Sequence, residues 1–136
     1  MGTFLDQRSS MNANASGSIN VALTAAPALF GVIGLQTRSV ANPIVDLTGT
    51  IGFSALVAGT TVAVQVVRGT LITDTIIYSA IFTAGIAGVN TRSFTAQDLL
   101  APAAAQTTYS AFISSAVVGS SRVGPEVFWG LASSTV

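Results

Sequence analysis

Few side chains in this sequence can move a proton or hold a metal: five Arg, four Asp, one Glu and two Tyr, with no Lys, His or Cys. General acid and base work would have to come from Asp6, Asp46, Asp74, Asp98, Glu126, Tyr78 or Tyr109. A Ser nucleophile would lack a His or Lys base, so the familiar acyl-transfer arrangements cannot be built. Zinc, haem and copper sites lose their usual ligands, which leaves only a calcium site from Asp98, Glu126 or backbone carbonyls conceivable. Asp98 and Glu126 could also form a glycosidase-type carboxylate pair, although nothing in their spacing favours it. The turn Gly85-Ile86-Ala87-Gly88 matches no phosphate cradle. The charges make more sense as structure: Arg68 and Asp74 flank a turn and are expected to pair across a hairpin, while Arg122 and Glu126 fall on one side of a strand. No catalytic residue, cofactor or metal is expected, and the chain does not read as an enzyme.

The elements that would position such groups are short and apolar. Hydrophobic residues make up 50% of the 136, charged residues 7%, and the net charge is zero. A lone soluble domain devotes about a quarter of its residues to charge, so much of this surface is predicted to be covered by other molecules. Phosphate binding draws on clustered Lys and Arg, which makes nucleic acid an unexpected partner. Residues 47–67 and 99–121 are uncharged, yet Gly, Ser, Thr or Gln interrupts them too often for a spanning helix, and ten aromatics make poor girdles for a membrane barrel. No membrane is expected. Residues 1–10 lack the basic and apolar regions of a secretory signal.

Val, Ile, Thr and Ala dominate, and turn signals recur every 8 to 14 residues, the pattern of an all-β sandwich or barrel. Strands are predicted over residues 28–36, 45–53, 61–68, 75–83, 90–97, 108–118 and 123–132, with 19–24 as an extra. In residues 45–53, Val45, Leu47, Gly49, Ile51 and Phe53 share one face. Residues 75–83 and 108–118 are apolar on both faces and must be covered on both, which a two-sheet domain achieves only against another subunit. The expected subunit-interface residues are Ile77, Ile81, Phe112, Val118 and Phe128. Residues 1–18 read as a separate arm: residues 9–18 are a small, polar, uncharged spacer, and before them Phe4 and Leu5 sit beside Asp6 and Arg8. These four are the expected inter-subunit docking residues. Residues 19–136 form the domain.

Five segments taken together carry a resemblance: Val45-Asp46-Leu47-Thr48-Gly49-Thr50-Ile51-Gly52, Val67-Arg68-Gly69-Thr70, Phe94-Thr95-Ala96-Gln97-Asp98, Tyr109, and Val123-Gly124-Pro125-Glu126-Val127-Phe128-Trp129-Gly130. They resemble the jelly-roll domains of bacterial endospore surfaces, akin to the tumour-necrosis-factor-like (TNF-like) heads of exosporium proteins and to endospore appendage subunits. The resemblance implies a homotrimeric jelly-roll β-sandwich with a structural or adhesive role, placed on the exosporium or coat without a signal peptide. The chain has neither a Gly-X-Y collagen stretch nor the Cys of disulfide-locked appendage subunits, so the likeness is to the thin, trimer-stacking fibre. In that arrangement the connector is residues 1–18, with Phe4 and Leu5 as anchors. The expected partners are further copies of the chain, a spore-surface anchor protein and a tip protein. Two other roles remain open at this point: a receptor- or glycan-binding head using loops 85–90 or 98–106, and a viral capsid or decoration jelly roll.

Overall fold

The computed structural model describes residues 2–135; Met1 and Val136, the outermost residues of the expected arm and domain, lie outside the described residues. Among the described residues nine strands run β1 (Thr3–Ala13), β2 (Val21–Ala22), β3 (Ala28–Leu35), β4 (Ile44–Ala55), β5 (Thr61–Arg68), β6 (Thr75–Thr83), β7 (Gly88–Asp98), β8 (Thr107–Ser114) and β9 (Ser121–Ser134). All pairings are antiparallel. One sheet has the order β1-β9-β4-β7, with β2 also on β9, and the other β3-β8-β5-β6. Chain connections pass back and forth between the sheets, which makes the fold a jelly-roll β-sandwich, as the sequence predicts.

β-branched residues at alternate positions explain why these segments are strands: each presents one apolar side to the other sheet. Val45, Leu47, Ile51 and Phe53 of β4 meet Val62, Val64 and Val66 of β5 and Tyr109, Ala111 and Ile113 of β8 in one core. At the β6/β7 margin, the rings of Tyr78 and Phe94 stack with centroids 5.2 Å apart.

The N-terminal segment corrects an expectation. Residues 9–18 are not a spacer carrying a free arm, because Thr3–Ala13 is an eleven-residue strand paired with β9 from Thr3↔Ser134 to Ala13↔Glu126. The domain therefore begins at β1 rather than at residue 19. Small polar side chains cost nothing on the outside of an edge strand, and the backbone ladder supplies the order. Leu5 enters the core and Phe4 stays exposed. The Asp6 carboxylate accepts hydrogen bonds from the Gln36 amide (2.8 Å) and from Arg8 Nε (2.9 Å), tying the strand to the loop after β3. The Gln36 amide, assisted by Arg8, holds the Asp6 pKa below its ordinary value against the opposing effect of burial.

β9 alternates without a break, with even-numbered residues turned inward and odd-numbered ones outward. Phe128 is consequently wholly buried in the core, which corrects its expected place at a subunit interface. A Cβ at Gly130 would stand 2.8 Å from both Ile33 and Leu47, so the inner side of β9 narrows there to admit those two side chains. Ile77 is corrected too. A bulge opposite Val66 and Val67 drops it from the ladder, and it packs against the core.

Two ion pairs lie within the sandwich. Arg122 donates to Glu126 through Nε (2.6 Å) and Nη2 (2.7 Å), and Asn12 Nδ2 adds a bond to Glu126 Oε1 at 2.7 Å. The expected Arg68–Asp74 pair does not form. Asp74 instead accepts the amides of Thr70 and Leu71 across the turn, and a side chain at Gly69, whose φ is +133°, would collide with it. Arg68 reaches Asp98 with a two-pronged contact of 2.8 and 2.7 Å, and Tyr109 Oη donates to the same carboxylate at 2.7 Å. Burial alone would raise the Asp98 pKa, but Arg68, Tyr109 and the Leu100 amide outweigh it and hold the group below the usual carboxylate range. Burial, then the bond to Asp98, pushes the Tyr109 phenol above the ordinary tyrosine range, so it stays a donor.

Two outcomes test this packing. Phe128→Ala should cost about 3–5 kcal/mol of unfolding free energy, the usual loss for a buried Phe, whereas Trp129→Ala on the outward side should cost under about 1 kcal/mol. Urea denaturation of the two variants checks the inward and outward assignment. The stability supplied by Asp98 is complete above its unfolded pKa of about 3.9 and is lost as pH falls through its depressed folded value. Asp98→Asn should destabilise the chain by about 3 kcal/mol at neutral pH and flatten the fall in unfolding midpoint between pH 4 and pH 2, by about one carboxylate's share.

Candidate functional site

Among the described residues there is no group of three or more Asp or Glu that could hold a metal ion, and none of their buried side-chain polar atoms lacks a hydrogen-bond partner. Asp98 and Glu126 engage different arginines, so they form no glycosidase-type pair. The features left without an intramolecular purpose are apolar and lie on the outside.

The outer side of β9 carries Val123, Pro125, Val127, Trp129 and Leu131, all partly exposed, while its inner side carries Arg122, Gly124, Glu126, Phe128, Gly130 and Ala132. The outward row is the more apolar of the two, which inverts the usual rule for a sandwich strand. β9 is central, so the row runs down the middle of the sheet face. Its cross-strand neighbours are Gln7, Ser9 and Met11 on β1 and Asp46, Thr48 and Thr50 on β4. Asp46 accepts from Gln97 Nε2 at 2.6 Å, so the charge flanking the row already has a partner. A continuous apolar face of this kind is the candidate interaction surface.

The opposite sheet presents Leu29 and Val32 on β3, Phe112 on β8, and Ile76 and Ile81 on β6. Ile81 is 71% exposed. Phe112 points outward beside Leu29 and Gln65 but is only 8% exposed, so it offers a partner little. Val118, 87% exposed, lies in the turn between β8 and β9 rather than in a strand. The expected interface set thus divides: Ile81 and Val118 are presented, Phe112 is nearly covered, and Ile77 and Phe128 face the domain's own core. Sequence reasoning missed Val127, Trp129 and Leu131.

The two ends of the sandwich differ. At one end the β2–β3 and β8–β9 connections are tied by Leu23 N to Ser120 O (2.9 Å) and Ser115 N to Thr24 O (2.9 Å), the β4–β5 and β6–β7 connections by Gly59 N to Ala84 O (2.9 Å), and the two pairs by Leu56 N to Ser120 Oγ (3.1 Å). These connections hold no charged residue and expose Leu56, Val57, Ile86 and Val118. The other end holds the N-terminal strand start, Arg38, Asp74 and the Arg68–Asp98 pair, with Leu71, Leu99 and Leu100 exposed among them. The loops considered for a binding head therefore present Ile86, Leu99 and Leu100, and neither contains an aromatic residue.

No family model matches the chain, and no curated protein matches it. Solved structures do. Dimeric latent PorU from Porphyromonas gingivalis is similar with a TM-score of 0.55 and 10% identity, over 97% of this chain and 13% of that one. The chain therefore spans a small part of PorU, and the likeness is one of fold. Bacillus endospore appendages, described as disulfide-linked pili, are similar with a TM-score of 0.37 and 15% identity, covering 91% of this chain and 92% of theirs. Murine APRIL is similar with a TM-score of 0.45 and 10% identity, covering 83% and 95%.

Proposed function

We propose that the chain is a non-catalytic structural subunit that assembles with copies of itself, as homotrimers stacked into a fibre on the endospore surface. The observation that carries self-assembly is the outward row Val123, Pro125, Val127, Trp129 and Leu131, which is more apolar than the inward side of the same strand. Trp and apolar residues grouped at the centre of a face and ringed by Ser, Thr and Gln have the anatomy of an interface core with a polar rim. The scarcity of charge on the flanking strands fits like partners, since three copies of one face gathered around a threefold axis must not repel. The endospore setting and the threefold copy number come from the resemblance of residues 45–52, 67–70, 94–98, Tyr109 and 123–130 to spore-surface jelly rolls. An anchor protein and a tip protein would occupy the ends of such a fibre.

Trp129→Asp together with Leu131→Asp should leave the fold within about 1 kcal/mol of its original stability, since both side chains face outward, and should abolish the three-chain particle. Light scattering after gel filtration, with negative-stain microscopy, reads the outcome. Particles of unchanged mass from that variant would remove this face from assembly. A monodisperse single chain from the unmutated protein at high concentration would end the structural-subunit reading.

A further inference from the structure

In a ring of three copies every interface is heterologous, so a patch on one copy meets a different patch on the next. The row on β9 therefore needs a mate elsewhere on the same chain. One edge of the sandwich, formed by β1 and β3, carries an open groove of about 270 Å³ walled by Met11 and Asn12 of β1 and by Leu29 and Val32 of β3. Met11, Leu29 and Val32 are exposed, and no charged residue lines the groove. The opposite edge is closed: Tyr78 stacks on Phe94, and Arg92 Nη2 donates to Thr83 O at 3.0 Å.

Two charges near these patches have no counter-charge. Arg38 is exposed and, among the described residues, has neither an ion pair nor a side-chain hydrogen bond. Its turn is held in an uncommon shape, with φ of +56° at Arg38 and +57° at Ser39, and with their amides bonded to Ala105 O (3.0 Å) and Ala104 O (2.9 Å). Such a backbone persists only where surrounding contacts fix it, and here they fix the place from which a lone guanidinium extends. Asp46 is the counterpart. Its carboxylate meets Gln97 Nε2 but no cation, and it stands beside Leu131 in the ladder. The groups also follow one order along the strands: Gly31 lies against Phe128, and Ile33 and Leu35 against Gly130. Val32 is thus level with Trp129, and the chain runs on to Arg38 in the direction of Leu131 and Asp46. A rotation axis along the strands preserves these levels.

We propose that the β1/β3 groove of one copy receives the Val127, Trp129 and Leu131 row of the next, with Arg38 of the first pairing with Asp46 of the second. This deepens the fibre-subunit reading and rests on it in that copies associate side by side. Apolar surface meets apolar surface at the groove, and the uncompensated charge at the end of each patch meets its opposite. Around the axis, Asp46 of each copy then faces an Arg38 rather than another Asp46. A pair placed at the rim of an apolar contact selects register and partner more than it adds affinity.

A charge swap tests the pairing. Arg38→Glu and Asp46→Arg, each alone, should raise the dissociation constant of the three-chain particle about tenfold or more, because a like pair replaces an opposite one. The chain carrying both changes should return to within about threefold of the original, since the two sites are coupled. Gel filtration with light scattering over a dilution series at low salt reads both effects. Val32→Asp, on the groove wall, should dissociate the particle while the urea unfolding midpoint stays that of the original chain. A folded double variant that binds no tighter than the single ones, or an intact particle from Val32→Asp, would overturn this contact; dissociation by Trp129→Asp with Leu131→Asp would then still leave the row in assembly. A single-chain original protein would remove both readings.

Discussion

The strict two-residue period of β9 is the constraint on which the rest of the molecule depends. This strand bonds to β1 and β2 on one side and β4 on the other, so its register fixes which face of the larger sheet is core. A slip of one residue would exchange Phe128 for Trp129 and bring Val127 and Leu131 inside. What forbids the slip is shape. Gly130 leaves room for Ile33 and Leu47, and Gly31 lies against Phe128, where a Cβ would stand 2.7 Å from the Phe128 Cβ. Large outward residues could not occupy those positions without overpacking, which costs more than their burial returns. The apolar row is left outside because the core has no volume for it.

The same period explains what the sequence did and did not disclose. Residues 61–68 and 75–83 coincide with β5 and β6 because Gly, Ser, Thr and Asp at their ends are turn signals with local causes. The parity of β4 was equally legible, since Val45, Leu47, Ile51 and Phe53 alternate with Asp46, Thr48 and Thr50. On β9 the run Val127-Phe128-Trp129 places large residues on both sides, and hydropathy alone assigns neither face. Only the non-local fit of Gly130 against two other strands decides it. Ile77 was misassigned for a related reason: a bulge changes parity halfway along β6, and bulges leave no hydrophobic mark. β1 was hidden because its order comes from backbone bonds to a strand more than a hundred residues away. Ser9, Ser10 and Asn12 in isolation have the composition of a linker.

Charge placement follows the same separation of local from distant causes. Arg122 and Glu126 are four apart on one strand, so their pairing could be read directly, although not that Asn12 would complete it. Arg68 had a local candidate in Asp74 and took the distant Asp98. The turn amides of Thr70 and Leu71 need an acceptor, and Asp74 supplies it at short range. Asp98, more deeply buried, could not stay ionised there without Arg68 and the Tyr109 hydroxyl around it. In each of the two ion pairs inside the sandwich the carboxylate is held by its own arginine and one further side-chain donor, Tyr109 for Asp98 and Asn12 for Glu126.

Stability and assembly therefore draw on different parts of one fold. Residues at even positions of β9, with β4, β5 and β8, make a closed core that a single copy completes. Odd positions of β9 and the uncharged loop end carry apolar side chains that a single copy leaves in contact with water. In the proposed assembly the row on the sheet face would join copies side by side, and a copy held to more than one neighbour through it would leave only when all of those contacts opened together.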